Sequence, residues 1–171
     1  ILNADDYFYN FHKKIAQKQN LNIISFSIKN KISNIYLNSI KKEKSKFKIF
    51  VNINNLTKYF YLSTSYENDI KNLLAAISVV SIFKEVKELD CDMFYNHQIP
   101  SGRGDVSKIK LFKKNLYLID QSYNANPLSM YSALKNFDMI KTNKSKKHLI
   151  LGDMLELGKY SKKLHLEIMK N

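Results

Sequence analysis

An α/β protein in two parts is what this chain predicts, and three observations carry that reading. Apolar, strand-like runs alternate with segments of helical spacing along the whole sequence. Two polar clusters each follow a strand-like run and lead into a helical pattern. They are Asp120-Gln121-Ser122-Tyr123-Asn124-Ala125-Asn126-Pro127 with Ser129-Met130, and Leu151-Gly152-Asp153-Met154-Leu155-Glu156-Leu157-Gly158 with Ser161 and His165. Between the two parts stands Pro100-Ser101-Gly102-Arg103-Gly104, which holds one of the two prolines and two of the four glycines. Such a cluster marks a boundary. In an alternating α/β domain, the polar clusters would lie at the carboxyl edge of a sheet, where ligands bind.

The elements follow in order. Ile1-Leu2 reads as the end of a strand, and Asn3-Ala4-Asp5-Asp6 as a turn able to cap the next helix. Tyr7, Phe8, Phe11, Ile15 and Ala16 recur at helical spacing through Gln17. Asn22 to Ile28, Ser33 to Ile40, Phe47 to Ile53 and Tyr59 to Leu62 read as strands, with Lys41 to Lys46 an exposed loop. Asn68 to Phe83 is the clearest helix, with Ile70, Leu73, Leu74, Ile77, Val80 and Ile82 apolar. Asp90 to Gln98 is irregular. Beyond the boundary, Ser107 to Phe112 and Leu116 to Asp120 read as paired strands joined by Lys113-Lys114-Asn115. Asn126 is then an N-cap with Pro127 at the first helical position, and the helix runs through Phe137. His148 to Leu151 reads as a short strand before a last helix that starts near Leu157.

Composition narrows the function. With 171 residues and 44% apolar content, the chain can build a core. The first residue is Ile and Asn171 interrupts a helical pattern, so the chain is expected to be a fragment of a longer protein. No apolar run approaches the ~20 residues of a membrane span. The single Cys91 excludes an internal disulfide and reads as a small apolar residue. A net charge of +13 invites a nucleic-acid reading. Against it, the lysines are dispersed and the one arginine is Arg103, although arginine is the preferred bidentate reader of phosphate and guanine.

Four groups are candidates for chemistry. Asp120 ends an apolar strand; its carboxylate suits a Mg²⁺-bound phosphate, a substrate amine, or merely a turn. Tyr123, Asn124 and Asn126 form a compact polar turn, and Asn amides read donors and acceptors alike. Arg103, between two glycines, suits a phosphate clamp or an ordinary linker. Asp153 and Glu156 flank a turn after Gly152, and His165 shares a helix face with Ser161. Taken alone, His165 reads as a helix-surface residue. His12, His97 and His148 have no partners at metal-ligand spacing, so no zinc site and no metal ligand is expected. No GxSxG elbow occurs.

Together these residues resemble the Mur ligase family of cell-wall synthesis. The Asp120 to Met130 string is most similar to the member that joins D-alanyl-D-alanine to UDP-N-acetylmuramoyl-tripeptide, and Gly152 to Gly158 with Ser161 and His165 is its usual companion. Ile1-Leu2-Asn3-Ala4-Asp5-Asp6 resembles the segment after the family's ATPase strands. Asn72-Leu73-Leu74-Ala75-Ala76 resembles the helix whose asparagine lies by adenine, and Gly102-Arg103-Gly104 the hinge arginine motif. Other members of the superfamily, folylpolyglutamate synthases included, carry other residues in place of Tyr123-Asn124-Ala125-Asn126-Pro127.

The resemblance implies the back half of a central ATP-binding domain over residues 1–100, a hinge at 101–105, and the start of a Rossmann-like C-terminal domain over 106–171. It implies a cytoplasmic, monomeric ligase using ATP and Mg²⁺ to form an acyl phosphate on the tripeptide, which the amine of D-alanyl-D-alanine attacks. Domain closure would keep water from that intermediate. Asn72, Asn68, Asn3 and Asp5 would then serve the nucleotide, with Asn68 standing where the family carries histidine. Arg103 would meet the γ-phosphate and Asp120 the phosphate or the incoming amine. Tyr123, Asn124 and Asn126 would place the dipeptide, and Gln121 stands where an acidic residue is common. The phosphate loop, the catalytic Glu and the modified Lys that holds Mg²⁺ are expected upstream of Ile1, so this stretch alone is expected to be inactive.

Overall fold

The computed structural model describes residues 1–95, 100–142 and 146–170. His97, the Gln98-Ile99 approach to the boundary and Lys144 lie outside them. The chain divides into two compact units, Ile1–His97 and Gln98–Asn171. Among the described residues, no helix is long and apolar enough to cross a membrane.

The first unit is a mixed five-stranded sheet with a helix packed on it. Strands β1 (Leu2–Asn3), β2 (Ser25–Ser27), β3 (Ile35–Glu43), β4 (Lys46–Ile53) and β5 (Leu56–Leu62) lie in sequence order. The first three run parallel, and β3, β4 and β5 are antiparallel. The parallel step from β1 to β2 is crossed by helix α1 (Tyr9–Lys18). The β4–β5 turn is Asn54-Asn55, both at positive φ (47° and 71°), the backbone that a two-residue hairpin needs and that asparagine tolerates. Helix α2 (Glu67–Val80) buries Ile70, Leu73, Leu74 and Ile77, one stripe at 3.6-residue spacing. That stripe meets Phe26, Ile35, Ile49, Val51, Ile53, Phe60 and Leu62 from the sheet. Each such fully buried side chain contributes about 1.5–3 kcal/mol, so this unit's stability is concentrated under α2.

Two expectations fail here. Lys41 to Lys46 is not a loop: β3 runs to Glu43 and β4 starts at Lys46, leaving Lys44-Ser45 as the turn. Lys41 pairs with Lys48 and Lys42 with Phe47, while β2 pairs with β3 only at Ile35 and Tyr36. The far half of β3 is therefore an edge, where lysines guard against pairing with other chains. The Asn3-to-Asp6 turn does not supply a side-chain cap to α1, whose N-cap is Phe8.

The face of β4 and β5 bearing Lys46, Lys48, Tyr59 and Tyr61 alternates cations with rings. Lys46 lies 3.3 Å from the Tyr61 ring centre and Lys48 lies 3.9 Å from that of Tyr59. The Cys91 thiol raises the Tyr59 phenol above its ordinary 10.0.

The second unit holds an antiparallel hairpin, β6 (Asp105–Leu111) and β7 (Lys114–Asp120), then helices α3 (Pro127–Met139) and α4 (Ser161–Ile168). The hairpin turn is Phe112-Lys113, and Lys114 and Asn115 belong to the ladder. His148 to Leu151 is not a strand. β7 pairs only with β6 among the described residues, so the apolar run joins no ladder there.

Candidate functional site

The 102–105 loop and the turn after β7 are hydrogen-bonded to each other. Gly104 donates its N–H to the Asp120 carbonyl (2.6 Å), and Tyr123 donates its N–H to the Gly102 carbonyl (3.0 Å). Asp105 closes the loop by accepting from the Gly102 N–H (2.7 Å). This close approach is why glycine stands at 102. Its φ is +77°, and a Cβ there would come within 3.0 Å of the Tyr123 nitrogen.

Arg103 and Asp120 are thereby brought to one place. Arg103 is exposed, and its guanidinium lies 4.0 Å from the centre of the Tyr123 ring. A cation held over a ring face in this way keeps its N–H donors available for an anion. Asp120 ends β7, half-buried, and its carboxylate accepts from the Ser122 N–H at 2.9 Å. The Ser122 hydroxyl, and then that backbone N–H, hold the Asp120 carboxyl below its ordinary value of 3.8. Asp120 is thus held as an anion, and the loop that carries Arg103 is stitched by its backbone to the turn that Asp120 opens.

The other turn residues have separate positions. Tyr123 is mostly exposed, engaged through its ring face and its N–H. Asn124 is exposed. Asn126 is the N-cap of α3: its side chain accepts from the Ser129 N–H and its own N–H donates to Ser129 Oγ, both at 2.9 Å. The cap reading is correct, and it occupies the amide oxygen.

In the first unit, Asn68 and Asn72 sit one helical turn apart on the exposed side of α2, opposite its buried stripe. Amides in that position are open to a planar heterocycle with mixed donors and acceptors. Asn3 accepts from the Asp5 N–H (3.0 Å). The Asp5 carboxylate accepts from Ser27 Oγ (2.5 Å), the Ile28 N–H (2.6 Å) and the Lys29 N–H (3.3 Å). Asp5 thus ties the loop after β1 to the end of β2. No group of three or more His, Cys, Asp or Glu at metal-binding distance occurs among the described residues.

His165 was undervalued by sequence. Its Nε2 accepts the Met154 N–H at 3.0 Å and its Nδ1 lies 2.8 Å from the Ser161 carbonyl oxygen. The ring therefore grips the 152–158 turn, with the Asp153 carboxylate 3.8 Å away. The four-residue spacing from Ser161 was the available signal, but the partner across the turn had none.

No family model matches the chain. Curated relatives do. The UDP-N-acetylmuramoyl-tripeptide--D-alanyl-D-alanine ligase of Buchnera aphidicola is 30% identical over 93% of this chain and 33% of its own length. That of Rickettsia prowazekii is 26% identical over 99% of this chain and 36% of its own. The chain spans about a third of the length of these relatives. Among solved structures, MurF from Acinetobacter baumannii superposes with a TM-score of 0.77 at 20% identity, covering 97% of this chain and 34% of that one. MurF from Thermotoga maritima, solved in complex with ADP, gives 0.73 at 20% identity over 95% and 36%. The structural matches extend to MurC from Thermotoga maritima at 0.53 and 17% identity over 68% and 26%.

Proposed function

We propose that this chain, with its mixed α/β fold, is the middle-to-late portion of a Mur ligase, an ATP-dependent enzyme. The reaction is addition of D-alanyl-D-alanine to UDP-N-acetylmuramoyl-tripeptide through an acyl phosphate, in peptidoglycan precursor synthesis. The observation that carries this reading is the stitched pair of loops that puts Arg103 beside the Asp120 turn. A ligation of this kind must neutralise phosphate charge and deliver an amine at one locus. A guanidinium stacked on Tyr123, on the turn that follows a low-pKa carboxylate, supplies a group for each.

In this reading Arg103 contacts the γ-phosphate and Asp120 orients the incoming amine. Tyr123 holds Arg103 flat, and Asn124 and the Asn126 turn shape the place of the dipeptide. Asn72 and Asn68 read the adenine. Asn3 and Asp5 serve the nucleotide indirectly, since the Asp5 oxygens hold the loop between β1 and β2. The residues fit ATP as amide and guanidinium partners. Mg²⁺ would supply further charge neutralisation on the phosphates. The whole is a monomeric cytoplasmic enzyme with no nucleic-acid partner.

The test is Arg103→Ala in the full-length protein. Because Arg103 is exposed, unfolding stability should change by no more than about 0.5 kcal/mol. Turnover should fall on the order of 10²-fold, the scale of removing one preorganised electrostatic donor. A loss of less than a few-fold would remove the phosphate role.

A further inference from the structure

We infer that His165 is a positioning residue, a neutral histidine that clamps the Gly152–Gly158 turn in the shape the ligation needs. The inference rests on the ligase reading for its functional half, and on geometry for the clamp. Nε2 accepts the Met154 N–H, so that nitrogen carries no proton. Nδ1 then carries it and donates to the Ser161 carbonyl one helical turn back. A histidine bonded in this way has its tautomer and ring plane fixed at once.

What it holds is a strained turn. Glu156 has a φ of +62°, uncommon for a residue other than glycine, and Gly158 follows at +53°. No regular element runs from Lys146 to Leu157. Inside this irregular stretch Met154 alone is buried, 3% exposed. The backbone is thus pinned at one point by Met154, from the side chain beneath and from its N–H through His165. On either side of that pin, Asp153 and Glu156 are exposed. Their carboxylates are presented at positions that the clamp dictates, which makes His165 a residue acting through the turn and not on substrate.

The experiment uses the full-length protein with His165→Ala and His165→Gln, Gln retaining a carbonyl acceptor of similar reach. Three quantities are read: ring-nitrogen NMR shifts of His165, amide exchange at Met154, and kcat and KM for D-alanyl-D-alanine. The wild type should show a neutral Nδ1–H ring. His165→Ala should speed Met154 exchange about 5- to 10-fold, the scale of one lost hydrogen bond. It should lower kcat/KM on the order of 10-fold or more, as misplacement does, and Gln should restore a large part of both. Unchanged Met154 protection in the Ala variant overturns the clamp. Faster exchange with wild-type kcat/KM overturns the positioning role. If the wild type itself does not ligate, the ligase reading fails and so does the positioning role, while Met154 exchange still decides the clamp.

Discussion

Gly102→Ala is the sharpest perturbation of the stitched loops. Gly102 is buried with a φ of +77°. Placing an L side chain in the left-handed region costs about 1–2 kcal/mol. The new methyl would also lie 3.0 Å from the Tyr123 nitrogen and 3.1 Å from its Cβ. Backbone cannot swing aside as a side-chain tip can, so the Tyr123 N–H to Gly102 carbonyl bond must lengthen, a further loss of about 1 kcal/mol. The sum, about 2–3 kcal/mol, is roughly a 30- to 150-fold shift toward local opening. Gly104→Ala is the control: its φ is +99° and its Cβ would meet Gln121 Nε2 at 2.8 Å, the mobile end of a side chain. Only backbone strain should remain there. Amide exchange in the full-length protein reads the result directly. Gly102→Ala should accelerate exchange at Tyr123 and lower ligation together, while amides beneath α2, such as Leu74, stay protected. Wild-type protection of Tyr123 in Gly102→Ala would refute the reasoning.

Asp5→Ala should destabilise the first unit by about 2–4 kcal/mol in denaturant unfolding, because it strands the fully buried Ser27 hydroxyl and the Ile28 N–H; Asp5→Asn should fall between, and a change under about 0.5 kcal/mol would make Asp5 a dispensable surface residue. Ser122→Ala should raise the Asp120 pKa toward 3.8 in an NMR titration, since the Ser122 hydroxyl is the largest cause of its lowering. The sign follows from linkage: a folded pKa below the unfolded one gives stability that is complete above the unfolded value and lost as pH falls through the folded value. The variant should therefore lose less stability on acidification, and an unmoved Asp120 titration would mean that Ser122 does not hold the carboxylate.

Much of the fold was legible because local chemistry was unambiguous. Ile70, Leu73, Leu74 and Ile77 could bury only as one helical stripe, and Asn126-Pro127 could hardly be other than a helix start. Phe47 to Ile53 alternated, and it is β4. Failures arose where pairing decides structure. Lys41 and Lys42 look like loop residues, yet an edge strand takes them because β4 supplies the hydrogen bonds. His148 to Leu151 looks like a strand but joins no sheet among the described residues. Asp6 and Asp5 looked like caps, but Asp6 accepts from the Phe8 N–H ahead of α1 and Asp5 reaches across to β2. The site divides the same way. Arg103, Asp120 and Tyr123 were singled out by type and spacing, but their approach depends on two glycine-permitted backbone contacts, Gly104 to Asp120 and Gly102 to Tyr123, between residues 16 and 21 positions apart in sequence. His165 was passed over because its partner, the Met154 N–H, is a backbone group that no sequence pattern announces.

The most direct measurement is a mass-resolved assay of the full-length protein with UDP-N-acetylmuramoyl-tripeptide, D-alanyl-D-alanine, ATP and Mg²⁺. The account predicts a product heavier than the tripeptide by one D-alanyl-D-alanine less water, formed only when ATP is present, with ADP released in equal amount. It also predicts that Arg103→Ala abolishes most of that product while leaving the protein folded. No dipeptide-bearing product from a folded, nucleotide-competent wild type would contradict it.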